Sequence, residues 1–245
     1  MPDVDALLAA VCAAPDDMAP RRAFADAVRS ADSDRAKLID VQLDNRERRR
    51  RGEDVDPSGA RSLIILNGER WAGALAKQVS SFEYWGGFVE EIRVKAPKLF
   101  ASWSTLVRLA PIRHLRVEGD STVIGELATL PLLSQLRSLD VSFCRLKDAD
   151  VTKLVASTRL RGLRMLVLSH NPDISMDALR AVARAELPEL KYVGLDGTNA
   201  ALFDEWYDQG VLYDVKTTVV YDTLLEEFGS LPWLKRVDAP SCDVI

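Results

Sequence analysis

The chain has little of the chemistry that catalytic and metal sites need. Its 245 residues include two histidines and three widely spaced cysteines, whereas a zinc site requires three or four clustered ligands. Neither a G-x-x-x-x-G-K-[ST] motif nor a strand-linked G-x-G-x-x-G motif occurs. An odd number of separated cysteines argues against a disulfide framework and for reduced thiols. These absences predict a non-enzymatic protein without metal or cofactor.

Long apolar runs are also missing. None approaches the roughly 20 residues of a membrane-spanning helix, and the N-terminus MPDVDALLAA lacks the basic start of a signal peptide. The net charge of −5 argues against nucleic acid as a partner. The one dense basic run, residues 46–52, has acidic neighbours and is typical of a solvated helix end stopped by Gly52. We therefore expect a cytoplasmic protein that binds no membrane and no nucleic acid.

What the chain does contain is a repeat. The pattern L-x-x-L-x-L-x-x-N occurs in full at residues 163–171. Related segments begin at positions 89, 112, 136 and 190, and a weak sixth begins at position 234. The wider last spacing predicts an insertion or a decayed repeat near residues 199–232.

The final position of the pattern calls for a side chain that can bond to backbone. A short strand with alternate leucines inward must be followed by a turn, and the turn leaves buried N–H and C=O groups that need partners. The amide of Asn171 offers both a donor and an acceptor. We expect a structural ladder at the equivalent positions of four successive repeats: Asp120, Cys144, Asn171 and Thr198.

The repeat resembles the leucine-rich repeat, in particular its ribonuclease-inhibitor-like and cysteine-containing forms. The resemblance implies an α/β fold, a short solenoid with parallel strands on the inner face and helices outside, over residues 81–245 with about five to six repeats. It also implies a non-enzymatic module that binds a partner protein through the inner face.

Residues 1–80 show helical rather than repeat periodicity. Four helices are predicted, with Asp3 as the first N-cap and a hairpin turning at Gly86-Gly87. The fourth helix is expected to carry Leu63, Leu66, Trp71 and Leu75 inward. The segments at 19–42 and 87–90 resemble a bacterial repeat-companion domain, a module found before leucine-rich repeats. We expect this region to cap the solenoid.

The residues between the inward leucines are candidates for partner binding, since side chains alternate along a strand. We predict an exposed apolar patch and, two coils away, a charged rim. The patch consists of Phe143, Met165, Val167 and Tyr192, and the rim of Arg93, His114 and Arg116. The alternative is that the C-terminal insertion folds over the patch.

Three rival interpretations follow from the same residues. Arg93 or Arg116 could serve a leucine-rich GTPase activator, which supplies charge rather than a nucleophile. The chain could instead be a scaffold subunit without a specific ligand. Cys144 and His170 occupy adjacent positions on neighbouring coils, so a catalytic dyad is conceivable, although it would need contact geometry and a third group.

Overall fold

The computed structural model describes residues 3–201, 205–208, 211–214 and 223–233. The fold is α/β, and the chain divides into two compact units, Met1–Arg113 and His114–Ile245. The first unit continues past residue 80 because a strand hairpin belongs to it. That the repeat domain begins at residue 81 stays a prediction.

The first unit consists of five helices and the hairpin. In chain order these are α1 Val4–Ala13, α2 Met18–Val28, α3 Ser33–Arg50, α4 Ser58–Ala72, β1 Ser81–Trp85, β2 Phe88–Lys95 and α5 Ala96–Leu109. The four predicted helices and the hairpin are confirmed. Asp3, Asp17 and Asp32 cap the first three helices by accepting hydrogen bonds from backbone N–H groups.

The helices of the first unit bury a core that includes Val11, Phe24, Ile39 and Phe88. The prediction that Leu66 lies inward is wrong, since its side chain is 77% exposed. The buried side of α4 runs through Ala60, Leu63 and Gly68, and the helical period of 3.6 residues leaves Leu66 off that stripe.

The second unit alternates short strands with helices. Its elements are β3 His114–Glu118, α6 Ile124–Leu127, β4 Ser138–Asp140, α7 Asp148–Val155, β5 Met165–Val167, α8 Met176–Arg184 and β6 Tyr192–Gly194. The strands pair in parallel in the order β3-β4-β5-β6. Leu115, Leu139, Leu166 and Val193 stand side by side in this register. Each parallel pair is joined by a segment that contains a helix, as parallel strands require.

The core of the second unit lies between these strands and helices. The inward positions predicted from the repeat are buried on every strand, among them Leu139, Leu166 and Val193. Val151 and Leu154 of α7 and Leu179 of α8 are also buried. The predicted alternation along the strands is therefore confirmed for the inward residues.

The predicted insertion contains structure of its own. β7 Glu205–Asp208 and β8 Val211–Asp214 form an antiparallel pair, and a helix occupies residues 223–228. The ion pair between Arg180 and Glu227 joins this last helix to α8. The sixth repeat predicted at position 234 lies outside the described residues.

Candidate functional site

Asn171 is fully buried in the turn that follows β5, and its amide bonds only to backbone. Nδ2 donates to the carbonyl oxygens of Leu168 at 2.7 Å, Val141 at 3.1 Å and Ser169 at 3.2 Å, and Oδ1 accepts from the N–H of Leu146 at 3.0 Å. Val141 and Leu146 belong to the preceding repeat, so the side chain ties two successive turns together. The structural role predicted for Asn171 is confirmed.

Two other ladder positions also lie inside. The thiol of Cys144 is buried beside the carbonyl oxygens of Val117 and Ser142, both at 3.5 Å. The hydroxyl of Thr198 donates to the carbonyl oxygen of Leu195 at 2.7 Å. Each side chain bonds to the backbone of its own or the preceding turn, as the ladder requires.

The ladder does not extend to Asp120, and that prediction is wrong. Asp120 is exposed, and its carboxylate accepts hydrogen bonds from the N–H and the hydroxyl of Thr122. Asp120 thereby caps the 3₁₀ helix at Ser121–Val123. An ionised carboxylate can accept but cannot donate to turn carbonyls, and burying it unpaired would be costly. It therefore stays in water and begins the next helix instead.

The predicted apolar patch is divided by burial. Met165 and Val167 on β5 are half-buried, and Met165 stands in register with Tyr192 on β6. Tyr192 itself is only 8% exposed, so its expected exposure is wrong. Its ring lies beside Gly194, since a Cβ placed on Gly194 would lie 3.3 Å from Cε1 of Tyr192. Alternation gives the direction of a side chain but not what packs upon it.

The predicted charged rim also changes. His114 is buried, contrary to its expected exposure, for the same reason: strand alternation does not reveal what covers the outward side. Arg116 is half-buried and pairs with Asp140 of the next strand at 3.5 Å. Arg93 is exposed on β2 in the first unit. Arg116 therefore has an anionic neighbour on β4, and its role in the GTPase-activator alternative stays a prediction.

Phe143 forms a feature that the repeat pattern did not predict. It is 61% exposed just beyond β4, and its ring stacks on that of His170 with centroids 4.2 Å apart and planes 18° from parallel. Both residues have left-handed backbone, with φ of 61° and 57°. Such values are rare for bulky residues and concentrate at functional sites.

The next equivalent position shows how the stack ends. Phe143, His170 and Gly197 follow one another at intervals of 27 residues, and Gly197 has a φ of 66°. A Cβ on Gly197 would lie 2.7 Å from Nδ1 of His170, so the ring occupies the space that glycine leaves. Nε2 of His170 also lies 3.5 Å from Oδ2 of Asp196. Gly197, one position before the ladder residue Thr198, was the sequence signal that could have indicated this left-handed turn.

The Cys144–His170 dyad finds no support in this geometry. Burial raises the pKa of the Cys144 thiol to about 11, so the thiol is protonated at neutral pH and is a poor nucleophile. The contacts of Cys144 are to carbonyl oxygens, and the ring of His170 stacks on Phe143 instead.

The segments that resemble the repeat-companion domain meet around the Gly86-Gly87 turn. Arg21 is fully buried, donates to the carbonyl oxygens of Trp85 and Gly86, and forms an ion pair with Glu90 at 2.7 Å. Gln42 donates to the carbonyl of Tyr84 and accepts from the N–H of Gly87. These residues fasten the hairpin to α2 and α3, which is a structural role.

Comparison with known proteins adds no assignment: no protein-family model, curated protein or solved structure matches the chain. Among the described residues, no group of three or more histidine, cysteine or acidic side chains is placed to hold a metal ion. No helix in the described ranges combines the length and the apolar character that crossing a membrane would need.

Proposed function

We propose that the chain is a leucine-rich-repeat-like protein that binds a partner protein through the open face of β3–β6, without catalysis. The N-terminal unit serves as a repeat-companion cap in this proposal. The observation that carries it is the Phe143–His170 stack, an exposed aromatic pair held in left-handed backbone.

The surroundings of the stack suit a protein partner. Exposed aromatic rings are enriched at the centres of protein interfaces, where truncation of one residue costs about 2 kcal/mol or more. Met165 and Val167 present half-buried apolar side chains on β5. The Arg116–Asp140 pair contributes charge of both signs beside them, with Asp140 on β4 in register with Val167 and Arg116 on β3. Such charges affect association rate and specificity more than affinity. Tyr192 and His114 are buried and are left out of the proposed site, and His170 is added to it.

The two described cysteines support a reducing compartment. Cys12 and Cys144 are both free thiols, and such thiols persist in the cytoplasm, where disulfides are rare. We include cytoplasmic location in the proposal.

Site-specific photo-crosslinking tests the proposed face. A benzoylphenylalanine replaces Phe143 in one version of the full chain and Ile65 in another, and the proteins are irradiated in the cells that make them. Ile65 is a matched control because it is apolar, is 73% exposed and lies on α4 of the first unit. We expect one reproducible cross-linked protein at position 143 and none at position 65. Cross-links at position 65 alone would refute the proposal.

A second variant separates binding from folding. Phe143→Gly removes the ring but suits a φ of 61°, so relief of backbone strain offsets the lost stacking and the melting temperature should change little. Affinity for the cross-linked partner should fall at least about tenfold, since the aromatic contact is lost. Unchanged affinity, measured by calorimetry with the purified partner, would exclude the stack from the interface.

A further inference from the structure

The first unit contains a partly open cavity of about 280 Å³. Its lining comes from all five helices, the segment after α4 and β2, and most of it is apolar, including Leu8, Val28, Leu75 and Leu109. Three charged residues, Asp32, Arg35 and Arg70, also line it. Ligand pockets usually measure about 300–1,000 Å³, so the space suits a molecule of roughly ten non-hydrogen atoms.

Two of the three charges neutralise each other. Oδ2 of Asp32 accepts hydrogen bonds from Nη1 of Arg70 and from Nε1 of Trp71, both at 2.8 Å. Oδ1 of Asp32 accepts from the N–H of Arg35 at 3.0 Å and so caps α3. Both carboxylate oxygens therefore bond to donors other than the Arg35 guanidinium, and the lining retains one net positive charge.

Arg35 holds that remaining charge in an apolar setting. The residue is 8% exposed, and its Nη1 makes no hydrogen bond to any described residue. The rings of Trp71, Tyr84 and Phe88 surround the guanidinium, with centroids 5.1, 5.3 and 5.1 Å from Cζ. Aromatic faces attract a cation but cannot accept the in-plane hydrogen bonds that a guanidinium donates. The hydroxyl of Tyr84 bonds to the guanidinium, but it is neutral and so supplies no counter-charge.

An anion in the cavity would resolve this imbalance. A buried charge without a hydrogen-bonded counter-charge is unfavourable, and burial lowers the pKa of Arg35, the direction that an anionic neighbour would reverse. A carboxylate matches the planar guanidinium and the single excess charge. The apolar lining would take a hydrocarbon chain or ring attached to it.

We propose that the cavity binds a small organic monocarboxylate, with its carboxylate on Arg35 and its apolar part against Leu8, Val28 and Leu109. The site is independent of the protein-binding face proposed above, because it lies wholly within the first unit. For a ligand of about ten non-hydrogen atoms we expect a dissociation constant on the order of 0.1–1 mM.

Octanoate is the probe, and the indole N–H signal of Trp71 in a nitrogen-15 NMR spectrum of the full chain is the readout. The chain has five tryptophans, and Trp71→Phe identifies the relevant signal. Octanoate should shift that signal saturably, because the indole N–H donates to Asp32 at the cavity wall. Octanamide, which keeps the length but lacks the charge, should bind at least about tenfold more weakly.

Two variants place the ligand. Arg35→Lys keeps the charge but loses the planar fork and should weaken octanoate binding about tenfold or more. Val28→Phe reduces the cavity without touching Arg35 and should also weaken it, which decides the matter if the arginine variant does not fold. Arg29→Gln is the control, since Arg29 pairs with Asp26 and Asp40 outside the cavity. Absence of any shift at about 10 mM octanoate, well above the expected constant, would overturn the proposal, as would equal binding of octanamide.

Discussion

The two units solve the problem of buried polar groups in different ways. The first unit buries ionic side chains, with Arg21 paired to Glu90 and Arg35 enclosed by aromatic rings. The second unit buries neutral ones, with Asn171 and Thr198 bonded to backbone. A repeat must satisfy the same backbone groups at every turn, for which a small amide or hydroxyl suffices. The single hairpin turn of the first unit is held by two long side chains, the cationic Arg21 and the neutral Gln42.

The largest effect should come from breaking the ion pair of the first unit. Arg21→Met leaves Glu90 buried without its partner, and removing one member of a buried pair costs about 3–5 kcal/mol of unfolding free energy. The loss should appear in segments of the first unit by hydrogen-exchange mass spectrometry. Arg22→Met is the control, because Arg22 forms an exposed pair with Glu47 and should cost less than about 1 kcal/mol.

The pH dependence of this variant sharpens the test. Burial already raises the pKa of Glu90, against the lowering influence of Arg21. Without Arg21 the folded pKa rises further, so the folded state binds a proton that the unfolded state has released. Stability should then fall as the pH rises above the ordinary value near 4.5. A deficit of equal size at pH 4 and pH 7 would contradict this account.

The ladder of the second unit should give the next largest effect. Asn171→Ala removes an amide that bonds to four backbone groups, three of them in buried contacts, and we expect a loss of about 1–3 kcal/mol. Faster hydrogen exchange should appear in the turns after β4 and β5. Asn199→Ala is the control, because Asn199 is an exposed asparagine in the same unit. Equal losses from the two variants would contradict the structural role of Asn171.

A smaller effect is expected at the first turn of α3. Burial would raise the pKa of Asp32, but hydrogen bonds from Arg70, Trp71 and the N–H of Arg35 lower it overall. Asp32→Ala should therefore cost about 1–2 kcal/mol at pH 7, as loss of an N-cap does. A lowered folded pKa contributes stability above the ordinary value of 3.8, and that contribution is lost as the pH falls. The difference from the unsubstituted chain, measured by urea denaturation, should shrink below about pH 4.

The smallest effect should be a gain. Arg145 is exposed with a φ of 55°, a conformation that glycine adopts without strain. Arg145→Gly should raise the unfolding free energy by about 1 kcal/mol. Arg145→Ala keeps the strain and removes the same side-chain atoms beyond Cβ, so it should leave stability nearly unchanged. If Arg145→Ala raised the unfolding free energy as much as Arg145→Gly, the gain would come from removing the charge and not from relief of backbone strain.

The sequence by itself determined the local features. Helix caps such as Asp3, the hairpin at Gly86-Gly87, the inward leucines and the role of Asn171 all depend on contacts within a few residues or on a regular spacing, and both can be read from the chain. Tertiary structure alone decided which outward residues stay exposed. Tyr192 is buried with its ring beside Gly194, and Phe143 is exposed but stacked on His170. It also decided that Arg35, Trp71 and Phe88 surround one cavity. These residues lie far apart in sequence, and a periodic pattern gives the direction of each side chain without saying what meets it there.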